Sequence, residues 1–316
     1  MELSGELERA RLVRNRNVLK RRRTEVLYGL LFASPVLIGY SIFVIGPILI
    51  TFLLGFTEYN MIGKAKFIGL DNYIRLFSGA EPFFYSAVKS TFYYVIVSVP
   101  LGIIVSFLLA LLLNSKIKGR GLFRGIFYLP VIIPLAASSM IWMWMLQPDF
   151  GVVNYVLREL HLPTSKWLSS DQTVIPTLIL FSLWLTGNTM VIFLAGLQNI
   201  PSHLYEAIEV DGGNAFHNVR YITIPMSSSI IFFNTVIGFV NAFQTFVQPA
   251  VMTQGGPNNA SYLYVYYLFK EGFQFSNFGS ASASAFLLFL VILVCTAIFF
   301  KLSKSLVYYE GQEKGR

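Results

Sequence analysis

Apolar residues run along this chain in long blocks, without the polar face that a half-buried soluble helix shows every three to four residues. Charge-free intervals cover Val26–Thr57, Ser90–Ser115, Gly125–Pro148, Gln172–Tyr205, Tyr221–Phe269 and Gly272–Phe300. A helix crossing a bilayer core needs about 20 apolar residues at 1.5 Å rise per residue. Each interval accommodates one crossing, and the fourth and fifth are long enough to hold polar loop as well. The pattern predicts transmembrane helices over about 26–56, 88–113, 124–146, 174–197, 224–247 and 279–300. Lipid offers no partner for an unpaired backbone group, so each crossing is helical. A β-barrel would read instead as short alternating segments.

Charge placement orients these spans. Lys and Arg concentrate before span 1 (Arg9, Arg11, Arg14, Arg16, Lys20 and Arg21–Arg23), after span 2 (Lys116, Lys118, Arg120, Arg124), after span 4 (Arg220) and in the tail (Lys301, Lys304, Lys314, Arg316). The opposite side holds only Lys64, Lys66, Arg75, Arg158, Lys166 and Lys270. By the positive-inside rule both termini are expected to be cytoplasmic. The net charge of +8 is thus a topology signal that also suits anionic lipid, and nucleic acid is not expected as a partner.

Composition agrees with a lipid environment. The 316 residues are 55% hydrophobic and 13% charged, against about 25% charged in a soluble domain. All Asp and Glu fall outside the expected spans, so no intramembrane carboxylate is available for proton coupling. Cys295 stands alone, which excludes a disulfide within the chain, and it reads as a packing residue. No phosphate-binding G-x-x-x-x-G-K-[ST] loop occurs, and His161, His203 and His217 lack metal-ligand spacing. The expectation is a protein without catalytic residues, metal or cofactor, drawing energy from elsewhere.

The stretch Ile200–Pro225 carries the most specific signal. Ser202 is expected to cap a short helix, with Leu204, Ala207 and Ile208 forming its apolar stripe. Glu206, Glu209 and Asp211 make its exposed side acidic. Gly212-Gly213 is expected to end the helix in a sharp turn, and Pro225 to open span 5. A helix lying on anionic lipid usually carries Lys or Arg on its polar face. The acidic face favours a protein groove as its seat.

The run Glu206-Ala207-x-x-x-Asp211-Gly212, followed after twelve residues by Pro225, resembles the E-A-A-x-x-D-G-A loop of binding-protein-dependent ABC importer permeases. Phe216 and Ile222 match as well, while Ile208, Gly213 and Ile224 depart from the usual Ala, Ala and Leu. Phe67-Ile68-Gly69-Leu70-Asp71-Asn72-Tyr73 with Leu76-Phe77, Thr253-Gln254-Gly255-Gly256-Pro257 and Phe278-Gly279-Ser280-Ala281-Ser282-Ala283 resemble segments of the carbohydrate-type members. The resemblance covers about residues 26–305. It implies a type I transmembrane domain of six helices, with Glu206, Ala207, Asp211, Gly212 and Gly213 forming the loop that couples to the ATPase. Within it, Glu206 makes the polar contact and Gly212 permits the turn. It also implies ABC ATPase subunits that carry ATP and Mg, a second homologous permease and an extracytoplasmic solute-binding protein as partners, all at a bacterial or archaeal plasma membrane.

Polar residues inside the expected spans mark either a substrate path or hydrogen-bonded helix contacts. Asn234, Asn241 and Gln248 recur every seven residues, and Asn241, Gln244 and Gln248 follow i, i+3, i+7, so they share one face. Asn188 in span 4 and Ser282 in span 6 are further path candidates. Uncharged amides and hydroxyls suit a neutral polyol. The expected organisation is a basic segment over 1–25, a first span and external loop over 26–86, the transport domain over 87–301 with the coupling loop at 200–225, and a tail over 302–316. The expected activity is ATP-driven import of a sugar or oligosaccharide by alternating access. Import of glycerol 3-phosphate or an amino acid, and a self-contained secondary transporter, are the alternatives.

Overall fold

The computed structural model describes residues 24–115 and 118–306. The basic segment before Thr24, Lys116 and the tail beyond Leu306 lie outside the described residues. The chain forms two units, divided between Leu54 and Gly55. The first contains helix α1 (Thr24–Leu54), 31 residues long. A π-helical turn at Ser41–Ile45 interrupts its α-helical hydrogen bonding just ahead of Pro47, and the Gly46 N–H closes it on the Ser41 carbonyl.

The second unit starts with a two-residue ribbon. β1 (Thr57–Glu58) pairs antiparallel with β2 (Lys66–Phe67), in the register Thr57 to Phe67 and Glu58 to Lys66. The short helix α2 (Asp71–Phe77) follows. Asn72 at its start is buried, and its Nδ2 donates to the carbonyls of Gly55 and Thr57, both at 2.9 Å. That amide ties the start of α2 to the chain at and just before β1.

Helix α3 (Phe84–Asn114) is the central element of this unit. At 31 residues it is about 46 Å long, and Pro100 lies inside it without a break. The next three apolar stretches are each split in two. Helices α4 (Arg120–Ile132) and α5 (Leu135–Met145) meet at 100°. Helices α7 (Val174–Trp184) and α8 (Gly187–Gln198) meet at 46°. Helices α10 (Ala215–Met226) and α11 (Ser228–Phe243) meet at 65°. Between these pairs lie α6 (Val152–Glu159) and α9 (Ser202–Val210). The described residues end with α12 (Tyr264–Phe269) and the long α13 (Phe278–Leu306). Among the described residues, three helices are long and apolar enough to cross a membrane, and there are up to six crossings if each bent pair counts as one.

The spans expected over 124–146, 174–197 and 224–247 are therefore helices broken in two. At the first break Pro134 takes an extended ψ as the N-cap of α5, so the bend falls there and not at Pro130, which lies within α4. Pro225 does not open the fifth stretch either. Helix α10 begins ten residues earlier at Ala215, and Pro225 sits near its end.

Helix α3 packs against α7, α8 and α11. Its first half joins Phe181, Phe243, Tyr264 and Tyr267 in one buried cluster, and its second half joins Met190, Phe193 and Leu197 in another. Cys295 packs against the first cluster.

Candidate functional site

Three stripes of small and polar side chains face one another across a cavity of about 240 Å³. Helix α3 contributes Tyr94, Ser98 and Gly102, spaced four apart on one face. The α7–α8 junction contributes Ser182, Leu185, Thr186 and Thr189. Helix α11 and the residues after it contribute Asn234, Gly238, Asn241, Thr245 and Gln248. Among the described residues, no charged side chain lines it.

The break between α7 and α8 shapes this wall. The Thr186 hydroxyl turns back to the Leu183 carbonyl at 2.7 Å, and the Ser182 hydroxyl to that of Ile179 at 2.7 Å. The Ser106 hydroxyl, bonded to the Gly102 carbonyl at 2.6 Å, also reaches that of Thr186 at 3.5 Å. These bonds satisfy backbone groups at the bend and hold the hydroxyl oxygens beside the cavity. Glycines give it width. A methyl group at Gly238 would stand 3.2 Å from Val99 Cγ1, and one at Gly102 would stand 3.8 Å from Thr186 Cγ2. Asn234 is 5% exposed, and its Nδ2 is committed to the Ile230 carbonyl at 3.1 Å. Its carbonyl oxygen and its second N–H are left to serve the cavity.

Of the residues singled out in the sequence as path candidates, Asn234, Asn241 and Gln248 come together here. Asn188, Gln244 and Ser282 do not. Asn188 sits exposed at the start of α8, where the bend turns Thr189 to the cavity in its place. Gln244 is the C-cap of α11, where the helical periodicity that grouped it with Asn241 ends. Ser282 is buried in α13. Tyr94, Ser98, Ser182 and Thr186 went unread in the sequence: Ser98 and Ser182 are single polar residues in apolar runs, Tyr94 sits among aromatic and aliphatic neighbours, and Thr186 lies beside the more conspicuous Asn188. Their spacing of four gives the only local signal.

The second arrangement is the 200–225 segment. Pro201, not Ser202, is the N-cap of α9, and no side chain caps that helix. Leu204, Tyr205 and Ile208 are half-buried, whereas Ala207 joins Glu206, Glu209 and Asp211 on the exposed side. The C-terminus closes with the Gly213 N–H on the Ile208 carbonyl at 2.8 Å and the Gly212 N–H on the Glu209 carbonyl at 3.1 Å. This is the paired bonding of a Schellman motif, which needs a left-handed residue after the C-cap, and Gly212 supplies it at φ +76°. Gly213 serves a different need, since a Cβ there would overlap Ile208 Cγ2.

Asn214 then caps α10 through its Oδ1, which accepts the Phe216 and His217 N–H groups at 3.0 and 3.1 Å. The His217 ring returns a contact to the Asn214 N–H at 3.3 Å. The Tyr205 and Thr223 hydroxyls bond at 3.2 Å and tie α9 to α10. Val210 and Phe216, at 87% and 66% exposed, flank the acidic side chains with apolar surface.

A family model described as "Binding-protein-dependent transport system inner membrane component" matches residues 98–307, well over half of the chain. The chain belongs to this family. As such it is the permease type of ABC transporter subunit, a membrane component distinct from the ATPase. It is 38% identical to the "Probable ABC transporter permease protein YesP" of Bacillus subtilis, over 92% of this chain and 95% of that protein. It is 30% identical to the "Trehalose/maltose transport system permease protein MalF" of Thermococcus litoralis, over 90% of this chain and 96% of that one. The permease fold is also that of a bacterial ABC transporter involved in alginate import, at a TM-score of 0.78 and 24% identity, covering 91% of this chain and 98% of that chain.

Proposed function

We propose that this permease conducts a neutral sugar or oligosaccharide through the cavity between α3, the α7–α8 junction and α11. The observation that carries the reading is the lining itself, in which hydroxyls and amides stand among the aliphatic side chains of Val99, Ile103 and Leu185, without a charge. Such groups exchange hydrogen bonds with a polyol and offer nothing to balance a phosphate or a carboxylate. The likeness to a permease named for trehalose and maltose supports the same substrate class.

In this reading the chain spans the plasma membrane six times with both termini cytoplasmic, and a second homologous permease and an extracytoplasmic binding protein complete the importer. The acidic, apolar-flanked surface of α9 and the Gly212 turn seats in a groove of the ATPase subunit. Closure of two such subunits on ATP moves α9 and α10 as one piece, because the Tyr205–Thr223 bond joins them. Helix α10 leads into α11, which carries one wall of the cavity, so the movement alternates access to it.

Reconstitution with the ATPase, partner permease and binding protein tests this directly. Wild-type proteoliposomes should accumulate a neutral sugar on ATP addition. Glu206→Lys should abolish uptake while the protein remains folded in the membrane. Uptake by Glu206→Lys at the wild-type rate would refute the coupling role.

A further inference from the structure

A second crevice, of about 260 Å³, opens where the end of α5, the connection between α6 and α7 and the turn after α11 converge. Its lining mixes three hydrogen-bonding side chains, Gln147, Ser169 and Thr253, with the aliphatic and thioether surfaces of Met143, Leu168 and Met252. As in the first cavity, no charged side chain lines it among the described residues.

Each wall is fixed from behind. Trp142, next to Met143, packs on Phe181 and Trp184 of α7 with ring centroids 5.3 and 5.7 Å apart. Trp167, next to Leu168, is held by Asn154. Thr253 Oγ1 donates to the Pro249 carbonyl at 3.1 Å, and the Ser261 hydroxyl lies 2.7 Å from Thr253 Oγ1 and 2.6 Å from the Gly256 carbonyl. A crevice with three anchored walls and spare polar groups is preorganised for a ligand.

Its position follows from one segment. Gln248 lines the first cavity, while Met252 and Thr253, four and five residues later, line the second. The residues between them form the π-helical turn Pro249–Thr253. The two linings are therefore neighbours along this one turn, on the scale of adjoining sugar units rather than of separate sites. Trp142 and α7 back both: Met143 of the crevice follows Trp142, and Ser182 of the cavity follows Phe181, its ring partner.

We propose that this crevice is a second sugar subsite, which holds the ring following the one in the main cavity, so that the permease reads oligosaccharide length. Aliphatic and thioether side chains take the C–H face of the ring, and Gln147, Ser169 and Thr253 take its hydroxyls. This inference rests on the sugar-path reading above and adds a length-dependent site to it.

The test uses the reconstituted four-component importer and neutral arabinose- and glucose-based oligosaccharides of one to four units. Gln147→Ala removes one neutral hydrogen-bonding partner and should raise KM for units of two or more by up to about ten-fold, with single sugars unchanged. Leu168→Trp, which fills the crevice, should abolish uptake of the longer members and spare the shortest. Equal effects at every length, or none, would overturn the subsite. A loss of binding-protein-stimulated ATPase activity without sugar would also overturn it, assigning the crevice to a loop of the binding protein. A wild-type importer that takes up no sugar of any length would remove the sugar-path reading and this subsite with it.

Discussion

The Asn154 side-chain oxygen accepts a 2.7 Å hydrogen bond from the indole N–H of Trp167. The same amide donates to the carbonyls of Pro148 and Ser165 at 3.0 and 2.9 Å and accepts the Ser165 N–H at 3.3 Å. One buried side chain thus supplies the hydrogen bonds that a connection without regular pairing lacks. It also holds Trp167 at φ +45°, a conformation that a bulky residue rarely adopts. Asn154→Ala leaves these groups unpaired, at a cost on the order of 1–3 kcal/mol. The expected outcome is a lower melting temperature in detergent and faster proteolysis between residues 147 and 173. An unchanged melt would show that water replaces the amide.

Glu271 gives a pH dependence whose sign is fixed. It is 4% exposed, with Glu81, Arg75, Asn277, Tyr262 and Tyr267 around it. Burial first, and the neighbouring Glu81 charge after it, hold its carboxyl above the ordinary value of 4.5. The Asn277 hydrogen bond and the Arg75 charge act the other way. The folded chain therefore binds this proton more tightly than the unfolded chain does. The stability it contributes is full below the ordinary value and is lost as pH rises through the raised one. Glu271→Gln keeps an acceptor for the Asn277 amide and removes the titration. The melting-temperature advantage of the variant over wild type should grow as pH increases above about 4.5. An advantage that is flat with pH would count against the assignment.

The two glycines that end α9 should fail differently. Gly212 needs its left-handed φ, so Gly212→Val costs about 1–2 kcal/mol of backbone strain, and Gly212→Asn should be milder. Gly213 has an ordinary φ but no room for a Cβ against Ile208. Even Gly213→Ala should displace the end of α9. Co-purification with the ATPase subunit should rank Gly212→Asn above both Gly212→Val and Gly213→Ala. Retention by Gly213→Ala equal to wild type would show that Ile208 moves aside freely.

Gly187 sits at the α7–α8 bend, and a methyl group there would stand 2.6 Å from the Phe127 carbonyl oxygen and 3.1 Å from Tyr128 Cα. Backbone cannot yield as a side-chain tip can. Gly187→Ala should therefore separate α4 from α8 at a cost of about 1–3 kcal/mol. Lower thermal stability and a change in uptake rate are the expected readouts. Full stability would mean that the bend at 185–186 absorbs the methyl.

The number and rough limits of the apolar stretches were legible in the sequence because they depend on length and charge alone. Span 2, expected over 88–113, is the uninterrupted helix Phe84–Asn114. The turn at Gly212 was legible too, since a left-handed residue after a helix leaves a glycine behind. Pro134 marks the break at 133–134 in the sequence, whereas the breaks at 185–186 and 227 were not legible. Neither carries a proline or glycine at the break residues themselves, and the hydroxyl that reaches the Thr186 carbonyl comes from Ser106, eighty residues away.

The sequence by itself determined that this chain belongs in lipid and that an acidic helix–turn–helix interrupts its apolar runs. Both follow from local composition and backbone conformation. Tertiary structure decided which polar residues meet. Asn241 and Gln244 look alike three positions apart, yet Asn241 lines the cavity and Gln244, the C-cap of α11, does not, while Thr245 and Gln248 beyond it do. Tyr94, Ser98, Ser182 and Thr186 join it only through packing of α3 against α7 and α8. A cavity is made of faces from distant segments, and no short stretch of sequence encodes the bend that turns those faces toward one another.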